Sequence, residues 1–392
     1  MRLVTALILM AWGDGAAALV DRFAAARATW AGSATACTYQ GFIKAWLRLG
    51  LGPVRAVAAS LRRQMVQVAG EHARRFGFFV LAVDGSRFAL PRTAGNQRVF
   101  GRHGKDNGPP QLGVTMLWQM GVGLPWAWRI GRGDAGERGQ LRQMLDDTPA
   151  ATLIVADAGF TGYDLLRTII DSGRHVLVRA SKALTLLRDL GHAEQVDEQT
   201  VYLWPSHAQR HRQPPLVLRL VTTRSTGDRR RKVYLLTSVR DPGVLSDEQV
   251  CTLYRMRWGV ELCYRALKQT LDRRTLRAHA PATVLFEMHG LLLGLTLLGL
   301  MSVRAITAAG HDPLSWSLAA TLRAARRAMH QPHQRFDWPT LLADARHDPY
   351  ARRRKTRQHW PRKKGDSSPP GRPHIRQATL QEVHSSMQYQ PV

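Results

Sequence analysis

The segment Tyr254-Arg255-Met256-Arg257-Trp258-Gly259-Val260-Glu261-Leu262-Cys263-Tyr264-Arg265-Ala266-Leu267-Lys268 brings together the side chains most able to do chemistry. At 100° per residue, Tyr254, Arg257, Glu261 and Lys268 cluster within about 60° of one another on a helix. They lie beside an apolar stripe of Leu253, Met256, Val260, Cys263 and Leu267. One edge then carries a phenol, a guanidinium, a carboxylate and an ammonium. The carboxylate can hold a divalent cation, the guanidinium can fork onto phosphate oxygens, the ammonium adds a point charge, and the phenol can donate to phosphate. The plain alternative is a solvated face on which Glu261 pairs with Arg257 and Arg265 at i±4, worth a few tenths of a kcal/mol per pair. The helix alone leaves both readings open.

Two further acids follow apolar runs. Phe78-Phe79-Val80-Leu81-Ala82-Val83 runs into Asp84-Gly85, and Thr152-Leu153-Ile154-Val155-Ala156 runs into Asp157. Such runs, closed by turn-forming residues, predict buried strands with an acid at each end. Residues 112–120, 126–130 and 175–178 predict three more strands, and 137–145 and 163–170 predict helices. The order is β-β-β-α-β-α-β, an α/β pattern. It matches a ribonuclease-H-like mixed sheet flanked by helices, in which the first and fourth strands lie side by side. Asp84 and Asp157 would meet there.

Around that core the chain divides into five expected regions. Residues 1–75 read as Ala- and Arg-rich helices, with DNA binding as one use, interrupted at Gly50-Leu51-Gly52-Pro53. Residues 76–180 form the first part of the catalytic domain. Residues 181–245 read as a β-rich insertion, with strands at 201–204, 216–221 and 233–236 joined by basic loops such as Arg229-Arg230-Arg231-Lys232. Residues 246–345 hold the Glu261 helix and further helices. Residues 346–392, with Arg352-Arg353-Arg354-Lys355 and Arg362-Lys363-Lys364, read as a basic, unstructured tail.

Bulk composition narrows the partners. Lys and Arg number 56 against 29 Asp and Glu, a formal net charge of +27 over 392 residues. That excess favours a polyanion, because neutralising phosphates releases counterions. At 44% hydrophobic the chain can bury a large core. The cysteines Cys37, Cys251 and Cys263 form no Cys-x-x-Cys pair, which argues against a disulfide framework or a zinc site and fits a reducing, cytoplasmic setting. Residues 3–12 loosely resemble a leader but run on into further helix past Asp14. The apolar run 290–303 is shorter than the ~20 residues a bilayer requires, so a buried core helix and no membrane partner are expected.

The spacing Tyr-x2-Arg-x3-Glu-x6-Lys, reproduced by Tyr254, Arg257, Glu261 and Lys268, resembles the signature of the DDE transposases of the insertion sequence four group. The resemblance spans residues 78–303 and includes Asp84-Gly85-Ser86, Asp157-Ala158-Gly159-Phe160 and the β-rich insertion. It implies a transposase that cleaves and transfers DNA strands by a cut-and-paste route. Asp84, Asp157 and Glu261 would hold two Mg²⁺ ions, with Mn²⁺ as a substitute. Tyr254, Arg257 and Lys268 would grip transposon-end DNA, and Trp204 would stack on a flipped base. The implied partners are double-stranded DNA, as transposon ends and target, and a second copy of the chain in a synaptic homodimer, in a nucleoid-associated setting. One departure is Ala158, where relatives often carry Arg. It leaves the acid intact and affects only nearby phosphate contacts.

Other candidates carry less. A strand tryptophan such as Trp204 is more often core. Arg87, Arg92, Arg98, Arg102 and Lys105 offer a phosphate-facing loop, and His103, His192, His207 and His211 read as scattered surface residues. Competing functions are a ribonuclease-H-like nuclease without strand transfer, an inactive DNA-binding relic, and a purely structural nucleic-acid binder.

Overall fold

A computed structural model of the protein describes residues 2–29, 37–101, 108–193, 196–224, 232–331, 337–347 and 371–389. The chain opens with α1 (Arg2–Trp12), α2 (Leu19–Thr29), α3 (Tyr39–Leu49) and α4 (Gly52–Ala69). Then come β1 (Arg74–Arg75), β2 (Phe78–Ala89), α5 (Ala94–Phe100), β3 (Gln111–Gln119), β4 (Leu124–Arg132) and α6 (Glu137–Arg142). They are followed by β5 (Leu153–Ala156), α7 (Tyr163–Asp171), β6 (His175–Arg179), β7 (Thr185–Arg188), β8 (Thr200–Leu203) and α8 (Ser206–Arg210). Next are β9 (Leu216–Arg224), β10 (Lys232–Thr237), α9 (Asp247–Met256), α10 (Trp258–Arg265) and α11 (Pro281–Ala308). The last described elements are α12 (Leu318–His330), α13 (Trp338–Ala343), β11 (His374–Gln377) and α14 (Leu380–Ser386). From β2 to β6 the order is β-α-β-β-α-β-α-β, the expected succession with the extra helix α5 after the first strand, with antiparallel pairing first and parallel pairing last. This is the ribonuclease-H-like α/β pattern of a mixed sheet flanked by helices. Two compact units divide the chain: Met1–Asp147 with Trp258–His347, and Thr148–Arg257 with Asp348–Val392.

In the first unit β2, β3 and β4 form an antiparallel meander, with Asp84 opposite Met116 and Met116 opposite Trp128. Its core is built on α11, which is apolar on all sides and carries Pro281 in its first turn, where a missing N–H costs nothing. Helices α1 and α4 pack on it. Close approach of α1 requires glycine: a Cβ on Gly290 would fall 2.6 Å from Leu7 Cγ, and one on Gly294 2.9 Å from Ala11 Cβ. Trp12 Nε1 then donates to the Gly294 carbonyl at 3.0 Å. The apolar helix expected over 290–303 is thus longer than the sequence suggested, long and apolar enough to cross a bilayer, yet 72% of its most apolar stretch is buried among its neighbours.

One acid is buried within that core. Glu287 accepts the backbone N–H groups of Arg277 and Ala278, both at 2.9 Å, and faces Arg22 at 3.5 Å. Burial raises the Glu287 pKa against these favourable partners and lowers that of Arg22. The pair ties α2 and the segment before α11 to the central helix.

In the second unit β5 and β6 are parallel neighbours, joined through the amphipathic α7. The sheet continues through β10, β9, β8, β7 and finally β11. The β-rich insertion therefore extends the sheet from β6 rather than forming one of its own. Helix α9 opens with a capping box, Ser246 with Gln249, and packs on β5, β6 and β9.

Two sequence expectations are corrected here. Asp84-Gly85 is no turn, because β2 runs on to Ala89 and Gly85 pairs with Thr115. Nor is the whole of 346–392 an unstructured tail. Residues 374–377 add to β7 as a parallel strand, and α14 is capped by Thr379 and Glu382. Arg376 binds Glu382 at 2.7 and 2.8 Å, and Ser386 Oγ donates to the Leu190 carbonyl at 2.9 Å. The basic runs at 352–355 and 362–364 lie outside the described residues.

Candidate active site

In the first unit, strand alternation puts Asp84, Ser86 and Phe88 on one face of β2. Helix α10 and its continuation cover that face. The Tyr264 hydroxyl, buried, is placed to donate to the carbonyls of Asp84 at 3.0 Å and Val114 at 2.9 Å. Lys268 Nζ donates to Ser86 Oγ at 2.7 Å and stands 5.0 Å from the Phe88 ring centroid. Glu261 lies three residues before Tyr264, on the same helix stripe and one turn nearer the N-terminus. It is partly exposed, as is Asp84. The Asp84 carboxylate also accepts its neighbour's N–H, Gly85, at 2.9 Å. On the opposite face of β2 the Glu137 carboxylate lies directly over Gly85, where no Cβ fits. Burial, followed by the neighbouring Asp84, holds the Tyr264 phenol well above its ordinary pKa. Burial, then Arg274, lowers that of Lys268.

In the second unit Asp157 follows β5 directly. Its carboxylate accepts Gly159 N–H at 2.8 Å, capping the short turn Ala158–Phe160. Tyr254 is partly buried, and that burial raises its pKa. The charges of Arg257 and Arg179 oppose that rise and the charge of Asp157 reinforces it. The Arg257 guanidinium carbon stands 5.7 Å from the Tyr254 ring centroid. Two guanidiniums and a carboxylate thus act on one phenol.

Arg179 was not singled out in the sequence. The signal that would have found it is register. Ala156 of β5 pairs with Val178 of β6, so Asp157 and Arg179 leave adjacent parallel strands at the same level.

The signature segment is not one straight helix. Helix α9 ends at Met256, α10 begins at Trp258, and Ala266–Thr270 forms a π turn around Lys268. A constant 100° wheel therefore describes it only piecewise, and the boundary between the two compact units falls between Arg257 and Trp258. Tyr254 and Arg257 belong with Asp157; Glu261 and Lys268 belong with Asp84. Single-turn π segments are frequent at functional sites.

The remaining candidates sit as follows. Trp204 is 3% exposed, donates Nε1 to the Gln213 carbonyl at 2.7 Å and meets Tyr389 edge-on at 6.1 Å. Stacking on a base would require this ring to leave its packing. Arg87, Arg92 and Arg98 are exposed; Arg102, His103 and Lys105 lie outside the described residues. His207 faces Asp164 at 3.4 Å and His211 is exposed. His192 is no surface residue: it is 1% exposed and packed edge-on against Tyr389.

Oxygen donors alone make up the acid set, which suits a hard divalent cation. Among the described residues no three His, Cys, Asp or Glu side chains are gathered closely enough to hold a metal ion.

Comparison with known proteins adds three findings. The family described as transposase DDE domain matches residues 77–297. Transposase InsG for insertion sequence element IS4 of Escherichia coli (strain K12) is 30% identical over 265 residues, covering 65% of this chain and 59% of the relative. Among solved structures, the piggyBac transposase synaptic complex with hairpin DNA aligns with a TM-score of 0.41 at 11% identity, over 69% of this chain and 58% of that one.

Proposed function

The chain belongs to the transposase DDE domain family, and on that premise we propose that it is a DNA transposase cutting and rejoining DNA by metal-assisted phosphoryl transfer. Asp84, Asp157 and Glu261 are the metal-holding carboxylates in this reading. The observation that carries it is the half-site of the first unit, where Tyr264 and Lys268 fasten the Glu261 helix to the strand face that bears Asp84. Two bound divalent cations supply charge neutralisation at phosphorus and a nucleophile at neutral pH. Mg²⁺ is the cation of choice and Mn²⁺ its substitute.

The chain's own groups do the rest. Arg257 and Arg179 bind phosphate oxygens, since a planar guanidinium presents two donors to one phosphate. Tyr254 donates its hydroxyl to the same strand, with burial keeping it protonated. Lys268, held by Ser86, adds a fixed positive charge beyond Glu261. The substrates are double-stranded transposon ends and target DNA, the assembly a homodimer, and the setting the cytoplasm.

Pre-cut ends with free 3′-hydroxyls, incubated with target plasmid and Mg²⁺, test the function. Joined products are expected, falling by at least about 10²-fold in Asp84→Asn, Asp157→Asn and Glu261→Gln, the range for losing one electrostatic stabiliser of a transition state. Nicked plasmid without joining would instead indicate a nuclease. Joining that survives Asp84→Asn would remove that acid from the site.

A further inference from the structure

We propose that Tyr264, which lies outside the Tyr-Arg-Glu-Lys signature, is a positioning residue that sets the separation of the Asp84 and Glu261 carboxylates; this rests on reading those two acids as metal ligands. Tyr264 is 4% exposed, and its single O–H proton stands between two backbone carbonyls, Asp84 at 3.0 Å and Val114 at 2.9 Å. Those carbonyls belong to adjacent strands, so the hydroxyl seats the helix at one point along β2 and β3 together.

The packing contacts beside it lack that directionality. Phe88 packs against the Tyr264 ring at 6.4 Å between centroids, and the neighbouring Cys263 thiol meets the Met116 sulfur at 3.9 Å. Apolar and soft contacts of this kind tolerate sliding. The O–H bond does not, because hydrogen bonds weaken steeply when misaligned. Glu261 is one turn away, about 4.5 Å along the axis at 1.5 Å per residue. A shift of the helix along the strand therefore moves its carboxylate relative to Asp84 by the same amount. Lys268, bonded to Ser86 beyond Tyr264, is a second fastening on the same strand face.

Tyr264→Phe deletes the hydroxyl and keeps the ring. In the full-length protein without DNA, Mn²⁺ binding is measured by the paramagnetic resonance signal of free Mn²⁺, alongside thermal melting. Tyr264→Phe should bind Mn²⁺ about tenfold more weakly, the loss typical when a group supporting a ligand is removed. The Mg²⁺ concentration that half-saturates joining should rise by the same factor, with end-DNA affinity in the absence of metal unchanged. Wild-type Mn²⁺ affinity and Mg²⁺ dependence in Tyr264→Phe, whatever its melting temperature, would overturn the proposal and leave Tyr264 a packing residue. Glu261→Gln separates this from the underlying reading. If that variant also binds Mn²⁺ as the wild type does, the metal-ligand assignment itself fails.

Discussion

Arg257 stands near the Tyr254 ring and the charge of Arg179 acts on the same phenol, and that arrangement decides what each is worth. A guanidinium carries its charge at every accessible pH, so the pair offers DNA a constant positive site beside the Asp157 carboxylate. Attraction of this kind is paid back largely through counterion release, which makes it visible in salt dependence. Arg179→Ala should weaken binding of end DNA and reduce the slope of log K against log salt by about 1, the contribution of one phosphate contact. Arg179→Lys should restore the slope but not the full affinity, because an ammonium cannot fork onto two oxygens. An unchanged slope in the alanine variant would show that Arg179 serves Tyr254 alone.

Among the elements, α11 links the stability of the first unit to pH. His289, on this helix, accepts the Trp128 indole N–H on Nδ1 at 3.0 Å, and burial, reinforced by Arg55 and Arg129, pushes its pKa down to about 4. An unfolded histidine takes up its proton near 6.5. Between those values the unfolded chain binds the proton and the folded chain does not, so stability falls as pH drops from about 6.5 to about 4. At 1.36 kcal/mol per unit this single group removes about 3 kcal/mol across the window. His289→Phe, followed by urea unfolding at pH 7 and pH 4.5, should show a smaller difference between the two than the wild type. Equal differences would assign the acid sensitivity elsewhere.

The elements also show what a sequence reveals. Runs such as 78–83, 152–156 and 175–178 were legible because consecutive apolar residues have few alternatives to a buried strand. Three outcomes were not. The extension of β2 past Asp84 depends on Gly85 meeting β3 and Glu137, partners distant in sequence. Breaks in the signature helix at Arg257 and at the π turn have no proline or glycine pair to announce them. Strand β11 is short and polar, His374-Ile375-Arg376-Gln377, and forms because β7 offers a free edge and Glu382 holds Arg376. The acids and the signature are proposed from type and spacing. Arg179 and Tyr264 are not legible that way, because their placement comes from register and from one buried hydroxyl.

Taken whole, the proposed site residues fall on both sides of a boundary in the chain. Asp84, Glu261 and Lys268 belong to one compact unit, and Asp157, Tyr254 and Arg257 to the other. A net charge of +27 gives the entire chain an attraction for DNA, so DNA binding by itself says little about the three acids. A metal that reports its own position says more. Fe²⁺ substituted for Mg²⁺, with ascorbate and peroxide, generates hydroxyl radicals that cut the polypeptide within reach of the bound ion. Cuts are expected near residues 84, 157 and 261 together, suppressed by excess Mg²⁺ and absent in Asp84→Asn. Cutting confined to one of these places, or elsewhere in the chain, would contradict a shared site of Asp84, Asp157 and Glu261.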